Sequence, residues 1–455
     1  SGEYQKQDAL YARDRGYPFN SADWSRMCGA SGSCLSNLNW NGVTQEILDG
    51  FIASGRPGFV AVPDPGSDPD NPTYDLGYTT ANWAAAYNGL ISIPGVALVR
   101  RAGVGAANPA DPRNRFQFLN PAAGCRGFDA ITITPEMSNT SPLTTCEVDF
   151  QNQYIMLQPE IERKGLTARF TANVGDNAQV YAIANYYQTK SHASFTPLGF
   201  NGTPTPPNNQ AAAYNVLLPV YVCASGVGTI DGLNTGCDAT NGVLNPYNPF
   251  AAEGARAQML VRSTRGRTVD TNSRALRGVL GIDGSFGDDW RYSANFTASE
   301  VRLKRTQENY LIPQRIMDLV ARGEFNFNDL EANSQDTWDY IAPRQTTTSV
   351  SQLWQVQATL AKDLFELPGG PLQAAVGVSY RDESIDAPSA NPGTLGNQYD
   401  RYYSINSVGT VGSRNVKSAF FEVSAPIIDQ LELGFSGRYD DYSTGQSNFS
   451  PKLSA

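Results

Sequence analysis

From Trp290 to Ala298 apolar and polar residues alternate without a break: Trp290, Tyr292, Ala294, Phe296 and Ala298 on one phase, Arg291, Ser293, Asn295 and Thr297 on the other. A period of two predicts a strand with one apolar face. The same period runs through Ala168–Val174, Ala178–Tyr186, Leu276–Phe286, Trp354–Leu360, Leu372–Tyr380, Ala419–Ala425 and Leu431–Tyr439. These strands come in couples joined by tight-turn sequences: Gly175-Asp176-Asn177, Gly287-Asp288-Asp289, the LPGGP run Leu367 to Pro371, and Pro426 to Gln430. Each is a hairpin signal. A weaker strand is expected over Glu3 to Arg13 and a last one after Phe449, about ten in all.

Between hairpins the connections are long, polar and rich in Pro, Gly and Asn: Ser191 to Arg262, Arg305 to Arg344, and Asp382 to Ser413. Antiparallel strands reverse at every connection, so the short turns gather at one end of the sheet and the long loops at the other. Transmembrane barrels have this asymmetry, with short periplasmic turns and long extracellular loops. Phe286, Trp290 and Phe365 sit beside the turns, whereas Tyr186, Trp354, Tyr380 and Tyr439 sit a membrane-spanning strand away. That spacing predicts two aromatic girdles. The apolar phase is rich in Ala, Leu and Val; the other carries Ser293, Asn295, Thr297, Gln355, Gln357 and Thr359, which suits a wet lumen. Alternation alone also fits a soluble β-sandwich.

The first connection, Asp14 to about Cys146, is too long for a structureless loop. Val43, Ile47, Leu48, Phe51 and Ile52 before Gly55 predict a short helix over Val43–Ser54, and Ile312, Ile316, Leu319 and Val320 with Pro313 early and Gly323 after predict another.

Charged residues are only 17% of the chain and the net charge is −10, so no clustered positive field offers itself to nucleic acid. The single histidine, His192, removes most metal and triad templates and reads as a rim residue. No apolar run is long enough for a membrane-spanning helix. Six cysteines fall into three neighbouring couples, Cys28 with Cys34, Cys125 with Cys146 and Cys223 with Cys237, each in loop-like sequence; local disulfides in an oxidising compartment are the economical reading. Asp64, Asp68, Asp70 and Asp75 offer oxygen ligands, but without calcium-loop spacing and interrupted by prolines they read as a solvated loop. Arg256, Arg262, Arg265 and Arg267 could meet lipid phosphates or simply extend a strand into water.

The segment Asn415 to Ala455, NVKSAFFEVSAPIIDQLELGFSGRYDDYSTGQSNFSPKLSA, resembles the mid-barrel part of TonB-dependent outer-membrane receptors, with RYDDY at Arg438–Tyr442 and Pro451-Lys452 in the family's order. LPGGPLQAAVGVSYRDES, Leu367 to Ser384, and NPYNPF, Asn245 to Phe250, are similar to the same receptors. The resemblance implies an all-β antiparallel barrel of the outer membrane, of which residues 1–455 would be a part lacking plug and C-terminal half, with 14–146 as a large extracellular loop region. It implies energised uptake of a scarce ligand (ferric siderophore, cobalamin or glycan), with the TonB energy-coupling complex reached through the plug, lipid around the wall, and no catalytic step, cofactor or metal. The rival from another class is a soluble β-rich carbohydrate-binding or carbohydrate-cleaving domain. Detergent dependence separates the two.

A ligand captured from outside must meet the long-loop side first. On the lumen phase Tyr187 and Arg381 end their strands there, and Tyr247, Phe250, Tyr310, Trp338, Tyr402 and Tyr403 lie on loops above. Aromatic faces with Arg forks can hold a ferric chelate or a sugar. Packing within the loops is the competing role for these aromatics. Arg291, Asn173 and Gln373, near the turns, are expected to touch the plug.

Overall fold

A computed structural model describes residues 1–15, 33–34, 40–45, 48–49, 59–63, 72–79, 95–101, 116–128, 130–132, 144–146, 153–202, 214–224, 228–230, 233–287, 290–391, 399–405 and 408–455. One antiparallel sheet of ten strands dominates. Its members are β1 (Gly2–Gln7), β2 (Glu160–Val174), β3 (Ala178–Phe195), β4 (Arg267–Phe286), β5 (Trp290–Glu308), β6 (Gln345–Leu367), β7 (Gly370–Ala387), β8 (Thr410–Ile428), β9 (Leu431–Tyr442) and β10 (Ser447–Ser454). Every strand pairs with its successor, so the sheet is a meander with the predicted turns at one end and the long loops at the other. The strand expected over Glu3 to Arg13 is instead β1 followed by a two-residue strand Leu10–Tyr11, paired with Met156–Gln158, and a 3₁₀ turn Ala12–Arg15.

Register makes the two phases into two faces. Phe170, Ala182, Leu280, Phe296, Val356 and Tyr380 stand opposite one another across β2 to β7. One residue over, Thr171, Tyr181, Gly281, Asn295, Gln357, Ser379, Ser418 and Asp440 form the neighbouring rung of the other face. On the apolar face Phe170 and Leu280 are 64% and 61% exposed. Among the described residues no second sheet covers them, so a sandwich is not what this alternation encodes. An apolar surface of this extent belongs against lipid.

Several glycines let a ring lie flat across the neighbouring strand. A Cβ on Gly281 would strike the Tyr181 ring, one on Gly377 the Phe420 ring, and one on Gly437 the rings of Phe421 and Phe449. Tyr181, Phe420 and Phe421 stand directly opposite their glycines and Phe449 is a diagonal neighbour of Gly437, and in each case the ring supplies the contact that glycine lacks.

Both girdles form. Phe286 stacks on Trp290 at 5.9 Å near the turns, and Trp354 meets Tyr380 at 5.1 Å at the far level. The far girdle slopes. Gln352 and Ser384 share the rung of Tyr186, yet the girdle residues on their strands, Trp354 and Tyr380, lie two and four residues nearer the turns. At a rise of about 3.3 Å per residue and a strand spacing of about 4.8 Å, one residue per strand is a tilt of roughly 35°, that of a membrane barrel.

The wall has no dry interior, since one face meets lipid and the other the lumen; the buried core is in the loops. Ala97, Val99, Phe200, Leu218, Met259, Ile316, Phe325, Phe327, Trp338 and Ile341 are among its members. A four-stranded sheet built from Leu217–Leu218, Ala257–Leu260, Leu98–Arg101 and Phe116–Phe118 joins the first connection to the second. Helix α1 (Pro313–Arg322) has Pro at its start and Gly323 in the left-handed conformation at its end, where the Gly323 N–H donates to Leu319 and Val320 carbonyls, as the sequence predicts. Helix α2 (Gln335–Ile341) starts at Ser334, whose side chain accepts from the Thr337 N–H. Neither helix is long enough to cross a membrane. Of the helix expected over Val43–Ser54, Val43 and Thr44 belong to a strand, Trp40–Thr44; Gln45, Leu48 and Asp49 are helical, and the rest lies outside the described residues.

Candidate ligand-binding site

Eight residues were expected to face a ligand, and they fall into two groups. Tyr187 and Arg381 are on the lumen face of the wall, four strands apart, on the order of 20 Å. Tyr187 is 44% exposed; its hydroxyl is 3.2 Å from Thr167 Oγ1 and its ring crosses Gly165. Arg381 lies opposite Gln355 and Val416, with its Nε 3.5 Å from Glu383 Oε2. Glu383 also receives Arg414. The carboxylate thus bridges two guanidiniums on adjacent strands.

The other six are part of the loop layer. Tyr310 and Trp338 are 5% and 2% exposed inside its core. The Arg265 guanidinium sits 4.6 Å over the Trp338 ring and that of Arg267 5.5 Å over Tyr310. Both rings are packed in the loop core, the competing role for these aromatics: a tryptophan on a helix facing a phenylalanine cluster has more area to bury in the core than to offer outside. Phe200, Phe325 and Phe327 are that cluster, at 4.7 to 5.5 Å from one another. Tyr247, Phe250, Tyr402 and Tyr403 pack on the same core but stay half-exposed. Burial holds the Tyr402 and Tyr403 hydroxyls above the usual phenol range, so both remain neutral donors.

NPYNPF holds its two aromatics from beneath. The Asn245 and Asn248 side chains are buried, and their oxygens accept from the Tyr247 and Phe250 N–H groups at 3.0 and 2.9 Å. Their amide nitrogens donate to the Pro219 carbonyl, and Asn248 also to Ala255. Each Asn closes a turn and ties it to the Pro219 backbone with one amide. Tyr402 and Tyr403 are fixed likewise: the Tyr402 N–H donates to Asn391 Oδ1 at 2.9 Å, that of Tyr403 to the Leu311 carbonyl at 2.8 Å.

Two disulfides brace this layer, Cys125–Cys146 and Cys223–Cys237. Cys34 ends a two-residue strand opposite Tyr78, and its expected partner Cys28 lies outside the described residues, as do Trp24, Trp83 and the carboxylates Asp64, Asp68 and Asp70. Arg126 next to the first disulfide donates to the Asn328 carbonyl at 2.9 Å and pairs with Asp329 at 3.7 Å, linking the first connection to the segment between α1 and α2. Arg262, Arg265 and Arg267 are engaged with protein rather than free for lipid: with the Pro197 carbonyl, with Gln335 and Trp338, and with the Thr196 carbonyl. His192 pairs its Nδ1 with Asp270 Oδ1 at 2.8 Å beyond the girdle. No cluster of metal-ligating side chains occurs among the described residues.

Sequence reasoning named Arg381 and Arg291 on the lumen face but missed the charged clusters there. Glu383 with Arg381 and Arg414 is one; Arg438, Asp440 and Ser418 are another, with Arg438 Nε 2.9 Å from Asp440 Oδ1 and Ser418 Oγ donating to the same oxygen at 2.5 Å. Each residue is visible in the sequence, but its partners come from register. The RYDDY run divides by face: Arg438 and Asp440 point to the lumen, Tyr439 to the girdle.

Comparison with solved structures finds a likeness to "Structure of the RagAB peptide transporter", at a TM-score of 0.35 and 12% identity over 66% of this chain and 31% of that one. The chain spans about a third of that protein's length. No curated protein sequence matches. The family described as TonB dependent receptor-like, beta-barrel, matches residues 224–455, just over half of the chain. The sheet, its two faces and this match place the chain in the TonB-dependent receptor β-barrel family of the outer membrane.

Proposed function

We propose that residues 1–455 form part of the wall and the extracellular loop layer of an outer-membrane receptor that captures a scarce small ligand and passes it inward under energy from a coupling complex, with no chemical step of its own. In this reading residues 14–146 are a large extracellular loop region. The observation that carries it is the fusion of long connections into one packed layer at one end of a lipid-facing wall, leaving Tyr247, Phe250, Tyr402 and Tyr403 half-exposed above a polar lumen that begins at Tyr187 and Arg381. A ferric chelate, a cobalamin, a glycan or a peptide all suit aromatic faces with guanidinium forks.

The test uses the full-length receptor in outer-membrane vesicles with radiolabelled cyanocobalamin, a ferric catecholate, a maltooligosaccharide and a short peptide. One of these should be retained. Alanine at Tyr187, Arg381, Tyr247, Phe250, Tyr402 or Tyr403 should weaken its binding by about tenfold at the stronger positions. Alanine at Asn173, Arg291 or Gln373 should leave affinity unchanged. The opposite pattern, capture lost on the turn side and kept on the loop side, would defeat the reading.

A further inference from the structure

Following the lumen face rung by rung separates its charges. On the five rungs from that of Arg169 and Arg381 out to that of Arg305 the cations are Arg163, Arg169, Arg277, Arg305, Arg381 and Arg414, and the carboxylates only Glu3 and Glu383; two rungs further out the lumen phase adds Arg267, held by the Thr196 carbonyl. Nearer the turns the sign reverses, with Asp283, Asp363, Glu422, Glu432 and Asp440 outnumbering Arg291, Arg438 and Lys452. The chain as a whole carries −10, so a basic outer lumen runs against its bulk charge. All six outer cations are arginine. Lys164, Lys190 and Lys304 lie among them in sequence but on the opposite face.

The arginines are available. Arg169, Arg277, Arg305 and Arg414 are exposed, and no carboxylate of the described residues stands within ion-pair distance of Arg277 or Arg305. Arg163 donates only to Gln5, at 3.1 Å, and Arg381 and Arg414 share Glu383. Between them runs an apolar shelf: Tyr187, Ala275, Val301 and Ile385 lie on one rung, and Tyr187, Val301 and Ile385 are 44%, 44% and 41% exposed toward the lumen. A lumen wall facing only water has no reason to show these.

We infer that the outer lumen is built for an anionic amphiphile: a ligand with an aromatic or aliphatic body that lies on the shelf and two or more acidic groups, carboxylate, sulfonate or phosphate, that reach the arginines around it. Guanidinium forks bind such oxygens in pairs, and a concave, low-dielectric wall of one sign raises their local concentration. The acidic rungs nearer the turns suit a basic surface of the plug. The inference rests on the capture reading above and names the class of ligand.

The probes are pyrene tetrasulfonate and, on the same ring, trimethylammonium-methyl pyrene, measured by fluorescence anisotropy on vesicles with and without the full-length receptor. The tetrasulfonate should bind at least about tenfold more tightly than the cation, and Arg277→Gln with Arg305→Gln should weaken it about 10- to 100-fold. Lys304→Gln, next to Arg305 but on the lipid-side phase, should change nothing, and Arg305→Lys should restore only part of the loss. Equal binding of the two dyes, no binding of the tetrasulfonate, or indifference to the arginine pair would overturn the inference. If Tyr187→Ala then still weakens binding of the pyrene body, capture from outside survives without the preference for anions. If only Asn173→Ala or Gln373→Ala weakens binding, the capture reading falls as well.

Discussion

At the scale of single residues, the two faces of a strand are opposite solvents one peptide apart. Ala294 and Val376 face lipid, while Asn295 and Gln373 face the lumen. Arginine at Ala294 or Val376 should therefore cost assembly about 2–4 kcal/mol near the midplane, and at Asn295 or Gln373 it should be tolerated. Heat-modifiable gel mobility of the full-length receptor reads this directly; equal sensitivity on both phases would contradict the assignment. Glycine gives a second contrast. Gly377 lies beneath the Phe420 ring, whereas nothing would meet a Cβ on Gly412 within 4 Å. Gly377→Val should slow or abolish assembly and Gly412→Val should not, in the same mobility assay. The first contrast is legible from alternation alone. The second is not, because a glycine and its covering ring are 43 positions apart in the chain and meet only through register.

At the scale of elements, the sequence marks the membrane-crossing part of each strand and underestimates the rest. The alternating run Leu276–Phe286 is the inner part of a strand that begins at Arg267. Its outer part, RTVDTNS, has no apolar phase because both faces there are wet, so periodicity has nothing to report. The same holds for Glu160–Arg163 and Gln345–Ser351. Helix α1 was legible because its stop and start signals are local. The sheet that joins Leu98–Arg101 to Ala257–Leu260 was not, since its pairing spans more than 150 residues and short strands carry little pattern. The first connection is thus organised by strands inserted into its neighbours, with the disulfides as braces. Non-reducing peptide mapping should find Cys125 with Cys146, Cys223 with Cys237 and, by the same local logic, Cys28 with Cys34, each closed loop contributing up to about 3 kcal/mol. Crossed pairs or free thiols would contradict this.

At the scale of the whole molecule, the ten strands do two jobs with one pattern. Inside the membrane they separate lipid from lumen; beyond it they continue as a wall whose inner face is basic and partly apolar, topped by a packed layer of loops. The candidate ligand set read from the sequence divided accordingly. Residues named by phase, Tyr187 and Arg381, stand where expected on the wall. Of those named only as loop aromatics, Tyr310 and Trp338 are buried, because composition counts rings without saying which face they turn to. The slope of the girdle has a mechanical meaning as well. At a tilt of roughly 35° the hydrogen bonds between neighbouring strands are not aligned with the bilayer plane. A pull along the membrane normal still acts mainly along the strands at this tilt, so it does not peel one strand away bond by bond. It tries to slide β2 along β3, and all 15 residue pairs between them share the load at once. Slippage by a single residue would turn every lipid-facing side chain into the lumen and every polar one into the hydrocarbon. The long ladder thereby makes the wall stiff in the direction along which cargo has to travel.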